Sequence, residues 1–228
     1  MGLRSSMRQD GRVRLAYRSE LGHVRKRNED AVLVPAPDVR AAEPWVVAVS
    51  DGMGGHPAGD VASEITVQTL AARLSRRTAP ADLVEALLAA HKAIRVAAEA
   101  APDKTGMGAT AVVATVDSVH ADIAHIGDSR AYLIRAGEAR RLTEDHNSLG
   151  YLTQSLGHGA VSPDTITIDL GPGDRLLLCT DGLTGLVADP TIGDLAMADD
   201  PETACDRLVY AALDAGGHDN VTVVLVAI

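Results

Sequence analysis

Three apolar runs in this 228-residue chain close on an aspartate followed by glycine or serine: Val46 to Asp51 before Gly52, Asp122 to Asp128 before Ser129, and Leu176 to Asp181 before Gly182. Asp219 stands just before a fourth run, Val221 to Ile228. Short continuous apolar runs bounded by glycine read as buried strands, so each would carry its carboxylate to the edge of a sheet. Carboxylates gathered there repel one another unless a cation lies between them. Oxygen ligands without histidine or cysteine partners favour a hard ion, magnesium or manganese, over zinc. The pattern predicts a metal-dependent enzyme.

The elements that must position these carboxylates follow from the spacing of apolar residues. Arg12–Tyr17 and Ala31–Pro35 read as strands around the polar stretch Gly22–Asp30. Gly59–Arg77 and Asp82–Ala100 carry helical periodicity, through Val61, Ile65, Leu70 and Leu74 and through Leu83, Leu87, Ile94 and Ala98. Strands are predicted at Ala111–Val116, His120–Ile126, Ala131–Arg135, Ala139–Leu142, Thr165–Leu170, Arg175–Cys179 and Val221–Ile228. Turn signals separate them at Arg135-Ala136-Gly137-Glu138 and Gly171-Pro172-Gly173-Asp174. Pro201–Ala215 reads as a helix that stops at Gly216-Gly217. Strand-rich blocks with helical pairs set apart predict an α+β arrangement of antiparallel sheets covered by helices.

Composition narrows the function further. Hydrophobic residues make up 46% of the chain but aromatics only 2%, with no phenylalanine. The core must therefore be aliphatic, and an aromatic stacking platform for single-stranded nucleic acid is excluded. A formal net charge of -10 argues against nucleic acid as a generic partner. Cys179 and Cys205 have no metal-type spacing and read as buried thiols in a reducing cytoplasm. No stretch reaches transmembrane length, so no membrane association is expected. Residues 1–11 are expected to be a flexible tail and 12–228 a single catalytic domain.

The specific signal lies in seven short motifs and their order. They are Arg25-Lys26-Arg27-Asn28-Glu29-Asp30-Ala31, Val49-Ser50-Asp51-Gly52-Met53-Gly54-Gly55-His56, Gly106-Met107-Gly108-Ala109-Thr110, Ile126-Gly127-Asp128-Ser129-Arg130, Leu142-Thr143-Glu144-Asp145-His146, Cys179-Thr180-Asp181-Gly182-Leu183 and Asp219-Asn220-Val221-Thr222. In this order they resemble the type 2C metal-dependent (PPM) Ser/Thr protein phosphatases, in particular the compact bacterial branch. The resemblance runs from about Arg12 to the end of the chain. It implies a central β-sandwich of two antiparallel sheets flanked by pairs of antiparallel helices, with a binuclear metal site at one end.

Carried over to this sequence, the resemblance has Asp51 bridging two Mn²⁺ or Mg²⁺ ions. Asp181 and Asp219 would ligate the first ion and the Gly52 carbonyl the second. Glu29 and Asp30 match positions that hold metal-bound waters, and Asp128 matches the ligand of a third, weaker ion. Arg25 matches the arginine that holds substrate phosphate, a task for which a planar bidentate donor is suited. The expected reaction is direct hydrolysis of phosphoserine and phosphothreonine in proteins by a water bridging the two ions. The expected partners are phosphoproteins and the Ser/Thr kinases that the enzyme opposes, with the phosphatase itself a monomer.

Two departures from the family pattern affect the expectations. Eukaryotic relatives carry a histidine directly after the first Asp-Gly, where Met53 stands here. His56, three positions later, is the candidate to protonate the leaving alkoxide or contact substrate, the alternative being a loop histidine with a modest influence on substrate choice. His146 is expected to support structure beside the site, and His218 to be an exposed loop residue. Bacterial relatives also insert a mobile flap after the position of His146, of which only Asn147-Ser148-Leu149-Gly150 remains before Tyr151. An opened cleft with altered selectivity is expected.

Gly106-Met107-Gly108-Ala109-Thr110-Ala111 fits a dinucleotide fingerprint, but it leads into a strand-rich run rather than a helix. A phosphatase-like module that binds phosphoproteins without turnover has little need of the full carboxylate set. A phosphatase of a sigma-factor antagonist would keep the same site and differ only in substrate.

Overall fold

The structure, a computed structural model, describes residues 3–4, 8–10, 13–35, 44–53, 58–74, 79–198 and 200–228. Ten strands of four residues or more build two antiparallel sheets: β1 (Val13–Glu20), β2 (Asp30–Leu33), β3 (Trp45–Met53), β4 (Ala111–Val116), β5 (His120–Ile126), β6 (Arg130–Arg135), β7 (Glu138–Arg141), β8 (Asp164–Asp169), β9 (Arg175–Cys179) and β10 (Val221–Ala227). The first sheet runs β1-β10-β9-β6-β7, and the second β8-β5-β4-β3-β2. Leu3–Arg4 and Arg8–Asp10, within the expected tail, pair antiparallel with β1.

The central strands β3, β4, β9 and β10 are buried along nearly their whole length because both faces of each sheet are covered there, whereas β7 and β8 at the edges keep exposed polar residues. Side chains alternate across a strand, so Leu176 and Leu178 of β9 and Val224 and Val226 of β10 point into the space between the sheets. There they meet Val47 and Val49 of β3 and Val112, Ala114 and Val116 of β4. Leu177, Cys179, Val223 and Leu225 point the other way, onto Ile192, Leu208 and Val209 of the helical layer. Ala48, Val113 and Ala124 face the remaining layer, with Leu70, Leu83, Leu87 and Ile94. The result is the four-layer α-β-β-α order that the family resemblance implied.

The helices are α1 (Gly59–Arg73), α2 (Pro80–Ala100), α3 (Asp181–Thr184), α4 (Asp189–Ala196) and α5 (Pro201–Asp214). The α1–α2 pair packs on the second sheet, and α5 packs on β1 and β10 of the first. Local chemistry sets their ends. Pro80 and Pro201 occupy the first helical turns of α2 and α5, where no amide hydrogen is missed. The Asp200 side chain accepts from the Thr203 amide at 2.8 Å and caps α5. Two short elements, α3 and α4, were not anticipated.

Register is what gathers the carboxylates. Asp30 lies opposite Asp51 in the β2–β3 ladder, and Ala111 opposite Ile126 in β4–β5. In the other sheet Val221 lies opposite Glu20, and Cys179 opposite Arg130. β3, β5 and β9 therefore finish, and β2 and β10 begin, at the same end of the sandwich.

Candidate metal centre

Asp51 lies near the end of β3, Asp181 follows β9, Asp219 precedes β10, Asp30 opens β2 and Asp128 follows β5, all at that end. Burial, reinforced by the neighbouring carboxylates Asp181 and Asp219, pushes the Asp30 carboxyl up to about 7. Burial first, then Asp128 and Asp219, pushes Asp181 up to about 6. Asp51 is held well above the usual carboxylate range by burial and by Asp30, Asp181 and Asp219. Asp51 and Asp181 interact directly enough that the ionisation of one bears on the other. Burial also raises Asp128 and Glu29. A site that holds several carboxylates above their ordinary range is one where positive charge is wanted.

A frame of hydroxyls and amides orients these groups, and sequence reasoning missed it. Thr180 Oγ1 donates to Asp30 Oδ2 at 2.9 Å and accepts from the Thr222 amide at 3.0 Å, tying β9, β10 and β2 together. Ser19 and Thr222 hydroxyls meet at 2.7 Å, and Asn28 Nδ2 donates to Ser19 Oγ at 2.8 Å. Thr110 exchanges two bonds with the Asp51 backbone: its Oγ1 accepts from the Asp51 amide at 3.1 Å and its amide donates to the Asp51 carbonyl at 2.8 Å. Asn220 accepts from the Glu29 amide and donates to the carbonyls of Leu21 and Arg27, fixing the loop that carries Arg25. The available signal was a small polar residue beside each acidic one, as in Asn28-Glu29, Thr180-Asp181 and Asp219-Asn220.

Two glycines mark where backbones press together. The Gly52 amide donates to the Glu29 carbonyl at 3.0 Å, and a Cβ on Gly52 would lie 2.0 Å from the Gly59 carbonyl oxygen. A Cβ on Gly182 would lie 1.9 Å from the Asn220 oxygen. No side chain fits in either place.

Arg25 reaches the cluster from the side, its Nη2 2.6 Å from Asp219 Oδ2. Partial burial opposes its charge, yet the hydrogen bond to Asp219 and the nearby Glu29 and Asp51 raise its pKa. Arg27 pairs with Asp60 at 3.1 Å, and Lys26 forms no ion pair among the described residues. These basic residues line a cleft of about 1100 Å³ together with Asp51, Asp128, Asp181 and Asp219. His146 lies beside the site: its Nδ1 accepts from the Gly127 amide at 3.1 Å, its own amide donates to the Gly127 carbonyl at 2.9 Å, and its ring stacks on His125. His218 is exposed. His56, Gly54 and Gly55 lie outside the described residues.

The donor set fits hard divalent cations. Asp30 Oδ1 and Asp181 Oδ1 are buried with no hydrogen-bond partner among the described residues. Such orphaned buried oxygens are costly unless something else satisfies them. Asp51, Asp181 and Asp219 offer oxygen alone, the chemistry of magnesium and manganese sites.

Comparison with known proteins agrees with this geometry. The family model described as Protein phosphatase 2C matches residues 23–213. Serine/threonine protein phosphatase PstP of Mycobacterium tuberculosis is 35% identical over 93% of this chain, which spans only 44% of that relative's length. Serine/threonine phosphatase stp of Listeria welshimeri is 35% identical over 92% of this chain and 94% of its own. The solved catalytic domain of PstP in complex with two manganese ions superposes with a TM-score of 0.84 at 35% identity, covering 94% of this chain and 97% of that one. This chain belongs to the protein phosphatase 2C family.

Proposed function

We propose that the chain is a divalent-cation-dependent protein phosphatase that hydrolyses phosphoserine and phosphothreonine. The observation that carries this reading is the convergence of Asp51, Asp181 and Asp219 from both sheets onto one cleft, with the Arg25 guanidinium at its edge. Asp51, Asp181, Asp219 and the Gly52 carbonyl would hold two Mn²⁺ or Mg²⁺ ions, Asp128 a third, and Glu29 and Asp30 would orient what surrounds them. When bound, such ions neutralise the carboxylates, polarise a phosphoryl oxygen and activate water.

The chain's own residues do the rest. Arg25 offers a planar donor pair to a phosphate drawn into the cleft. Thr180 and Thr110 hold Asp30 and the Asp51 backbone in place, so the site is organised before substrate arrives. Lys26 and Arg27 add positive charge along the approach.

Supporting the choice of substrate are the names of the relatives and an approach lined with basic residues. Phosphoproteins are then the partners, in opposition to Ser/Thr kinases, and the catalytic unit acts as a monomer. No described helix is long and apolar enough to cross a membrane. Cys179 and Cys205 are free and buried, which suits a reducing compartment, and we place the enzyme in the cytoplasm.

The test is hydrolysis of an aryl phosphate and a phosphothreonine peptide with Mn²⁺, Mg²⁺ or chelator, by the native chain and by Asp219→Ala. Cation-dependent turnover that collapses in the variant is expected. A folded native chain inert with either cation would overturn the reading in favour of a phosphoprotein-binding module.

A further inference from the structure

Beyond the carboxylate cluster, the cleft is walled by a very small hairpin. Asn147–Ser148 pairs with Tyr151–Leu152, with Ser148 opposite Tyr151. Leu149 and Gly150 form the two-residue turn, with φ of 54° and 82°. Positive φ at both positions is the type I′ geometry, for which Asn-Gly is the favoured pair and a leucine is disfavoured by its Cβ. Leu149 is also 96% exposed and Tyr151 79% exposed. A chain with four tyrosines, one tryptophan and no phenylalanine thus spends one of its few aromatics, next to a strained leucine, on open solvent.

The tip is held in a fixed place relative to the chemistry. Asn147 lies near enough to Asp128 to offset part of the rise that burial imposes on that carboxyl. The Thr153 amide donates to the His146 carbonyl at 2.8 Å, closing the base of the hairpin, and His146 is itself tied to Gly127. Gly150, Tyr151, Leu152 and Thr153 line the same cleft as Arg25. An occupant of the cleft whose phosphate reaches Arg25 extends its neighbouring residues past this rim.

We propose that Leu149 and Tyr151 form a specificity site that takes an apolar side chain next to the phosphorylated residue of a protein substrate. The proposal rests on the phosphatase reading above. Tyr151 lines the cleft and Leu149 stands two residues before it at the hairpin tip, and covering them removes apolar surface from water only when the flanking residue is itself apolar.

The test compares phosphothreonine peptides that carry leucine in turn at each neighbouring position with one flanked by glycine and serine. The proteins are the native chain and the double variant Leu149→Asn, Tyr151→Thr, with an aryl phosphate as the measure of basal chemistry. Asn-Gly suits the turn better than Leu-Gly and threonine suits a strand, so the hairpin is retained. Expected is a preference of the native chain for one leucine-flanked peptide, about tenfold in kcat/KM, that the double variant loses while the glycine-serine peptide keeps its rate. Equal rates on all peptides by the native chain, or an equal loss on all in the variant, would overturn the specificity site while leaving the phosphatase reading intact. A folded native chain inert on aryl phosphate with every cation would overturn that reading and this one together.

Discussion

Asp51 and Asp181 line one cleft and interact electrostatically although they belong to opposite sheets of the sandwich. Neither ladder alone brings them together; the packing of the β3 end against the β9 end does. Because both are carboxyls, they repel each other unless one of them keeps a proton or a cation takes the proton's place. The core beneath holds both states in the same frame, since burial between the sheets, not the ions, supplies most of the stability.

This has a consequence for stability against pH. Asp30, pushed up to about 7, and Asp181, pushed up to about 6, bind protons in the folded chain that an unfolded carboxyl, with a pKa of about 4, has already lost. Stability from these groups is present at low pH and falls as pH rises through the window from about 4 to 7. His91 and His125, whose burial keeps their pKa low, contribute the opposite slope. The contrast with a variant isolates the cluster. In chelator, Asp30→Asn should melt above the native chain at pH 8 and lose that advantage towards pH 4. A variant that melts below the native chain at pH 8 would contradict this.

Cation should reverse the same penalty. At a hundredfold excess over its Kd, an ion that binds only the folded chain adds about 2.7 kcal/mol, roughly 5–10 °C in Tm for a chain of this size. Mg²⁺ or Mn²⁺ should therefore raise Tm by about that amount at pH 8 and by much less at pH 5, where protons compete. In chelator the protein should stay folded but inactive. Unfolding on chelation at 25 °C, read by circular dichroism, would refute the view that the sandwich stands without its ions.

Thr180→Val tests the frame. Valine keeps the shape but leaves the Thr222 amide without its acceptor and Asp30 without its donor. Losing buried partners of this kind costs about 1–3 kcal/mol. The expected outcome is a Tm lower by a few degrees and a fall in kcat larger than the change in KM, because Asp30 turns away from its place. An unchanged kcat would remove Thr180 from the machinery.

Much of this was legible in the sequence where two constraints coincided. Ala111–Val116, His120–Ile126 and Arg175–Cys179 have the bounds that their sequence pattern predicted, because strands covered on both faces are mostly apolar and end at turn residues. The aspartates were legible because each ends an apolar run. By contrast α4 was hidden: it is short, and Gly193 in its middle reads as a breaker. That glycine is there for packing, since a Cβ would lie 2.2 Å from the Gly137 oxygen in the β6–β7 turn. Thr180, Thr110 and Asn220 were hidden for another reason. A hydroxyl or amide beside an aspartate is ordinary turn chemistry, and only the register across strands reveals what it bonds.

Arg25 separates shape from charge. Lysine keeps the positive charge beside Asp219 but loses the planar pair of donors. Arg25→Lys should raise KM for phosphopeptides about tenfold, as expected when one charge-assisted hydrogen bond is lost, with the cation dependence of Tm preserved. Arg25→Ala should raise KM further. Equal kinetics for lysine and arginine would mean that a point charge is enough and that bidentate binding plays no part.

Gly52→Ala is the sharpest test of how the fold and the site depend on one another. The added Cβ would stand 2.0 Å from the Gly59 carbonyl oxygen and 2.8 Å from that of Glu29, both backbone atoms that cannot swing aside like a side chain. Relief requires the start of α1 or the loop at Glu29 to move, and the Gly52 carbonyl and the Glu29 carboxylate move with them. The cost should exceed the 1–3 kcal/mol typical of overpacking, because α1 is anchored on β3 by the buried Ala62 and Leu70. The expected protein is markedly destabilised and shows little rise of Tm with Mn²⁺ even where it remains folded. A Gly52→Ala protein with native Tm and native cation response would show that the close approach of β3 and α1 is incidental to the site.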